Sequence, residues 1–416
     1  MELEHEEVLM NNDAERYPAY RWIVVGSAWL VLACLVWSWF LIPSLAHYLF
    51  LDLNLNQTQF TLLLTAPFLM GIFTSIIGGA LGDRFGIRVV IALCALCAGS
   101  AGIARIFATS FTLMFTFMSL YGVCYGVMMP NLPKLVGIWY PPHQAGLANG
   151  ILLSGLNIGA ALGLFTGPLF SGWKTAFVAV SVLLLVVATL WVVLGRNAPK
   201  GITILMPSMI TGIKKGIVSK NVWLIAFGQC LFLGAFVGLS GNFPIALEKI
   251  HHVNPKTAGV IASLLTWGVT LGNFLVPMIS DKVGLRKIFV CSSALVSAMC
   301  FFLAWHSAPG TATGVFIFAG GLLFGGIQPV LFAILVDLPE IGPECLGGTS
   351  GLVSTLVNAG GFLIPLLVIS PLLAPGTFGA YTTGFLTTSL IIAIIALLTA
   401  LLIETDPRGK FNRIKK

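Results

Sequence analysis

The sequence predicts an all-α polytopic membrane protein, with twelve transmembrane helices in two six-helix bundles related by a pseudo-two-fold repeat. Three observations predict it. Residues of the AVILMFWYC set make up 57% of the chain and charged residues only 9%, against roughly 25% charged in an ordinary soluble protein. Apolar runs of about twenty residues, the length that crosses a ~30 Å hydrocarbon core, recur along the whole chain. Several motifs of the first half also return near the same positions of the second half.

Charge scarcity comes first because it excludes most classes. With a mean hydropathy of +0.97, the 416 residues cannot form a cytosolic enzyme, a disulfide-stapled secreted domain or a disordered scaffold; lipid must be the main solvent. The 46 Gly and 21 Pro suit a bundle whose helices approach closely. A net charge of +7 could suggest nucleic acid, but no basic stripe interleaved with aromatics lies on a soluble segment, so no nucleic-acid partner is expected. Cys94 and Cys97 have the spacing of metal ligands, yet they sit in an apolar run without a second Cys or His pair. No metal and no cofactor is therefore expected. The first residues, Met1 to Glu7, are acidic where a leader would be basic, so no cleaved leader is expected.

The spans read, in order, as 22–50, 60–82, 89–108, 111–133, 146–170, 173–195, 223–246, 258–280, 288–306, 314–336, 348–369 and 381–403. They divide the chain into an acidic tail (1–21), an amino-terminal bundle (22–195), a central loop (196–222), a carboxy-terminal bundle (223–403) and a basic tail (404–416). Lys and Arg orient the spans. With the amino terminus inside, only Arg105, Lys174, Lys249 and Lys256 of the 22 fall outside. Both termini are thus expected to be cytoplasmic, in a multi-pass protein of the plasma (inner) membrane.

The repeat is the third observation. Gly79-Ala80-Leu81-Gly82-Asp83-Arg84-Phe85-Gly86-Ile87-Arg88 has its echo in Pro277 to Lys287, aligning Asp83 on Asp281 at an offset of 198. Gly122, Gly126 and Pro130 match Gly321, Gly325 and Pro329 at 199, and Gly146, Gly150, Asn157 and Gly159 match Gly347, Gly351, Asn358 and Gly360 at 201. Three ordered matches at nearly one offset indicate parallel repeats about an axis along the membrane normal.

Over about residues 20–405 the chain resembles the major facilitator superfamily. The resemblance rests on Gly79, Asp83, Arg84, Gly86 and Arg88 in the loop after span 2, and on Trp139-Tyr140-Pro141-Pro142 followed by Ala145-Gly146-Leu147-Ala148-Asn149-Gly150 before span 5. Ile87 departs from the basic residue of the family motif. The resemblance implies that this loop, with its mate Asp281, Lys282, Gly284 and Arg286, latches the two halves in the outward-facing state. It also implies that spans 1, 4, 7 and 10 line a central cavity flanked by 2, 5, 8 and 11. Independently, the glycines permit close helix approach, and Asp83 can accept from backbone amides at a helix N-terminus. A plain positive-inside turn would leave the Asp and Gly spacing unexplained.

Candidates for the path follow from polarity near mid-span. No Asp or Glu lies inside any span. Arg105 lies 17 residues beyond Arg88, ~25 Å along a helix, and reads as a snorkelling interface residue, with a substrate or gating contact as the alternative. Asn157 and Asn358 occupy symmetric mid-span places and must face protein, water or ligand; helix–helix bonding and substrate contact both remain open. Tyr121 and Tyr125, four apart on one face, Trp37, Gln229, Trp267 and Gln328 complete the substrate-binding candidates.

These residues are expected to serve a secondary transporter, not an enzyme: no His/Asp/Ser constellation or phosphate-cradling Gly loop occurs. Alternating access would carry a small organic solute as a monomer in the bilayer. A small anion, of the monocarboxylate or nitrate/cyanate type, is one alternative, although spans 2 and 8 lack the buried Arg such carriers usually have. A drug/proton antiporter is the other, but Met118 stands where its span-4 Arg is expected. Without a mid-bundle carboxylate, no group is suited to carry a proton alone.

Overall fold

The computed structural model describes residues 18–198, 209–338, 340–341 and 346–403. Parts of the predicted tails and of the central loop lie outside the described residues, as do the side chains of Pro142, Ala145 and Gly146 in the motif before span 5. Among the described residues there are 12 helices long and apolar enough to cross a membrane. Spans 1–6 are Arg21–Ser44, Gln57–Phe85, Ile87–Phe107, Phe111–Trp139, Leu147–Leu169 and Trp173–Leu194. Spans 7–12 are Lys220–Lys249, Pro255–Val283, Arg286–His306, Thr311–Val336, Gly348–Leu373 and Phe378–Ala400. Span 1 begins and span 12 ends on one face, the terminal face; the opposite one is the far face.

Several helices overrun their apolar runs because polar residues cap them in the interfacial region. Asn56 and Gln59 form a reciprocal capping box at the start of span 2, Ser219 caps span 7, and Asn254 caps span 8 with Pro255 at its first position. Each cap satisfies amides that the first turn leaves free. One consequence is that Glu248, expected between runs, sits in the last turn of span 7. Spans 2 and 8 both end at a glycine of positive φ, Gly86 (φ 87°) and Gly284 (φ 84°), a sign that favours glycine, although ψ differs, 142° against 20°. The two glycines are repeat mates. The central loop also contains a helix, Met209–Val218, absent from the apolar-run reading because it lies on the bundle and does not cross.

Packing repeats with the sequence. In the first half spans 1 and 5, 2 and 4, 3 and 6, 1 and 6, and 3 and 4 pair; in the second, 7 and 11, 8 and 10, 9 and 12, 7 and 12, and 9 and 10 pair in the same way. The halves meet along two seams, span 5 on span 8 and span 2 on span 11. Glycine makes the closest approaches possible: a Cβ at Gly159 would lie 2.4 Å from the Ala33 carbonyl oxygen, and one at its mate Gly360 2.2 Å from that of Cys230.

Candidate functional site

The halves close on one another on the far side. There Gln57 Nε2 donates to Asn242 Oδ1 across the halves at 2.7 Å, and Lys249 Nζ lies 4.0 Å over the Phe50 ring. Gly241 receives Leu64, and Gly259 receives the Leu164 carbonyl and Pro168. Span 7 is buried without interruption from Gly234 to Leu247, and span 1 from Val31 to Ser44 except at Trp37. Towards the terminal face the same two helices carry partly exposed residues among the buried ones, Trp29 on span 1 and Cys230, Leu231 and Leu233 on span 7 among them. The groove between the halves that the family resemblance implies would therefore open on the terminal face.

Its walls follow from helical phase. Phe40 of span 1 meets Phe236 of span 7 at 6.2 Å between ring centroids, which fixes the facing stripes. On span 7 that stripe continues, seven residues earlier, to Gln229. Only 4% of Gln229 is exposed, and its Nε2 has no hydrogen-bond partner. On span 1 the stripe runs through Val36 and Trp29, whose Nε1 donates to Ser154 Oγ at 3.0 Å. The sequence reading missed Trp29; its spacing of eleven from Phe40 is the signal that finds it.

Asn358 and Asn157 mark the seams. A Cβ on Gly71 would lie 3.4 Å from Asn358 Oδ1, so Asn358 of span 11 meets span 2. Asn157 shares the face of span 5 on which Gly150 approaches Phe274 and Leu164 approaches Gly259 of span 8. Gln328 is half-buried just past the break of span 10 at Gly325 and Gly326. Asn273 of span 8 has a buried Oδ1 with no partner.

Other candidates stand elsewhere. Tyr125 packs inside the amino-terminal bundle, its ring 5.3 Å from Trp39 and 6.2 Å from Phe68. Tyr121 is fully buried and donates from its hydroxyl to the Leu35 carbonyl. Trp37, one residue off the groove stripe, donates to Thr166 Oγ1 at 2.8 Å within the same half. Trp267 is exposed in line with Val260, Leu271 and Met278, an apolar stripe suited to lipid. Arg105 corrects the snorkelling expectation: it is 0% exposed, turned into the bundle by the short 3-10 turn Arg105–Phe107. Its Nη1 lies 3.6 Å from Met118 Sδ. A guanidinium thus sits beside position 118 after all, delivered by span 3.

The two repeat loops are tied within their own halves. Asp83 pairs with Lys134 Nζ at 2.7 Å, not with backbone amides as expected, and Lys134 also donates to the Gly79 carbonyl at 3.0 Å. Arg84 lies over the Phe85 ring at 5.3 Å. Gly86 approaches Asn197, whose Oδ1 accepts from the Arg88 amide at 2.9 Å. In the second half Arg286 joins Asp281, at 3.3 Å, to Asp337 at the end of span 10; Lys282 is exposed and Gly284 turns the chain. Nearby, Glu340 accepts from Ser219 Oγ at 2.8 Å and Asn221 Nδ2 at 3.0 Å. Burial raises its carboxyl, and these hydrogen bonds outweigh that effect, leaving it below its ordinary range.

A family model described as the Major Facilitator Superfamily matches residues 28–365 and 225–415. The chain belongs to that superfamily of membrane transporters. Among curated relatives, the nitrite extrusion protein of Bacillus subtilis (strain 168) is 26% identical over 84% of this chain and 87% of its own length. A probable nitrate/nitrite transporter, NarK2, of Mycobacterium tuberculosis is 25% identical over 80% of this chain and 84% of its own. The hexuronate transporter of B. subtilis is 22% identical over 79% and 83%. A solved structure of a bacterial homologue of the human lysosomal transporter Spinster, described as inward-facing and unoccupied, superposes with a TM-score of 0.75 at 16% identity, covering 92% of this chain and 97% of that one. At that identity the likeness concerns the fold.

Proposed function

We propose that this chain is a secondary carrier moving a small anion, of the nitrate, nitrite or carboxylate class, by alternating access through the groove between its halves. The observation that carries the reading is Gln229, a buried amide donor without an acceptor on a wall whose spans hold no mid-span carboxylate. Leaving such a donor unbonded costs ~1–3 kcal/mol, and an oxyanion supplies the acceptor. A cation would find no counter-charge there. The names of relatives, which concern nitrite, nitrate and hexuronate, support the same class of cargo. The lack of a mid-bundle carboxylate speaks against a drug/proton antiporter.

The Lys and Arg asymmetry makes the terminal face cytoplasmic, so the groove opens inwards, in a plasma-membrane protein that works as a monomer without altering its cargo. The Asp83 loop engages the opposite half when the groove faces outwards. A small neutral organic solute is the second reading, favoured because spans 2, 5, 8 and 11 carry no Lys or Arg near mid-span.

Thermal unfolding of the purified protein tests the class of cargo. Nitrate, nitrite or galacturonate should raise Tm with concentration, as ligands of the folded state do, relative to chloride at equal ionic strength. A Tm raised by glucose or another neutral polyol and unmoved by all three anions would give the second reading instead.

A further inference from the structure

The amino-terminal bundle contains a buried charge that no carboxylate neutralises. Arg105 is 0% exposed. Its Nε donates to the Gly102 carbonyl at 3.3 Å and Nη1 to that of Ser38 at 3.2 Å, while Nη2 donates to Ser38 Oγ. The guanidinium lies between two rings, 4.2 Å from the centroid of Phe177 and 5.1 Å from that of Tyr121. Between Arg21 and Leu194 the only acids are Asp52 and Asp83. Asp52 accepts from Trp173 Nε1 at the far rim, and Asp83 pairs with Lys134 at the terminal face. Rings and carbonyls solvate the cation, but its full charge remains.

That charge stands behind span 1 at the level of Ser38, on the part of the transport path where the halves are closed on one another. Ser38 and Leu35, which hold Arg105 and Tyr121, lie on the side of span 1 away from the Trp29, Val36 and Phe40 stripe. One helix, roughly 10 Å across, separates the guanidinium from that path. At that range, with an effective dielectric of about 20, a monovalent anion gains roughly tenfold in affinity and a cation loses as much. We propose that Arg105 sets the charge preference of the transport path, acting through span 1 as a fixed positive field and never touching the cargo. The inference rests on the anion reading and names the residue that enforces it.

Nitrate uptake into proteoliposomes tests it with four variants, each checked for folding by its Tm. Arg105→Gln should raise the KM for nitrate about tenfold, and Arg105→Lys, which keeps the charge, should stay within about threefold of wild type. Met118→Glu, placing a carboxylate beside the guanidinium, should neutralise the charge in place and raise KM as Arg105→Gln does. Tyr121→Phe removes the bond to Leu35 and leaves the charge; it should lower Tm without moving KM. A folded Arg105→Gln or Met118→Glu with wild-type KM overturns the proposal, as does an Arg105→Lys that fails as badly as Arg105→Gln. Should Arg105→Gln not fold, Met118→Glu decides alone. A wild-type protein that neither binds nor moves nitrate, nitrite or galacturonate overturns the anion reading, and this inference with it.

Discussion

Gln229 and Arg105 show what a linear sequence does and does not reveal about single residues. Both were visible as polar groups in apolar runs, and their depth could be counted along a helix. Their azimuth could not, because it is set by partners on other spans. Arg105 turns inwards because Ser38, Tyr121 and Phe177 offer it carbonyl and ring surfaces that the headgroup region cannot. Tyr121 and Tyr125 do share a face, as their spacing implies, but it is the face that meets span 1 inside the bundle. Trp37 missed the groove by one residue of helical phase, and Trp29 was found only once Phe40 fixed that phase. Gln229→Leu tests the groove directly. Removing an orphan donor relieves its desolvation cost, so Tm should hold or rise, while nitrate affinity falls about two- to tenfold, one hydrogen bond's worth. A lower Tm with affinity intact would make Gln229 a structural residue.

Elements were more legible than side chains, since helix existence follows from apolar length and composition alone. Their ends were less so: Asn56, Ser219 and Asn254 extend spans 2, 7 and 8 past the last apolar residue, and hydropathy is blind to a cap. The repeat carried through, down to the positive φ of Gly86 and Gly284. Gly159 is the sharpest test of how these elements pack. A Cβ there would meet the Ala33 backbone oxygen at 2.4 Å, and backbone cannot step aside as a flexible side chain can. Gly159→Ala should therefore cost ~1–3 kcal/mol, read as a lower Tm. Gly137→Ala, with nothing within 4 Å of its Cβ, should be neutral or slightly stabilising, because alanine favours helix. Equal Tm for the two variants would contradict the close approach of spans 1 and 5.

At the scale of the whole molecule, the halves are repeats that meet at two seams, and the proposed cycle has them exchange which end of the groove is closed. Gln57 and Asn242 clasp the far side, and the Asp83 loop is tied within its own half, as befits the open side. Asp83→Asn should bias the population further towards the proposed inward-open state and reduce flux at unchanged expression. Labelling from the far side of a cysteine placed at Leu64, which is buried against Gly241 of the other half, reports it; unchanged labelling and flux would leave the loop a topological signal only. The apolar lengths and the repeat made this architecture readable, whereas the cargo was not, because neutral donors serve many solutes. Counterflow in proteoliposomes tests the central claim most directly. Vesicles loaded with unlabelled nitrate and diluted into labelled nitrate, at equal pH on both sides, should show a saturable, transient overshoot of label. Flux that rises linearly without saturation, or uptake that appears only under an imposed pH gradient, would contradict it.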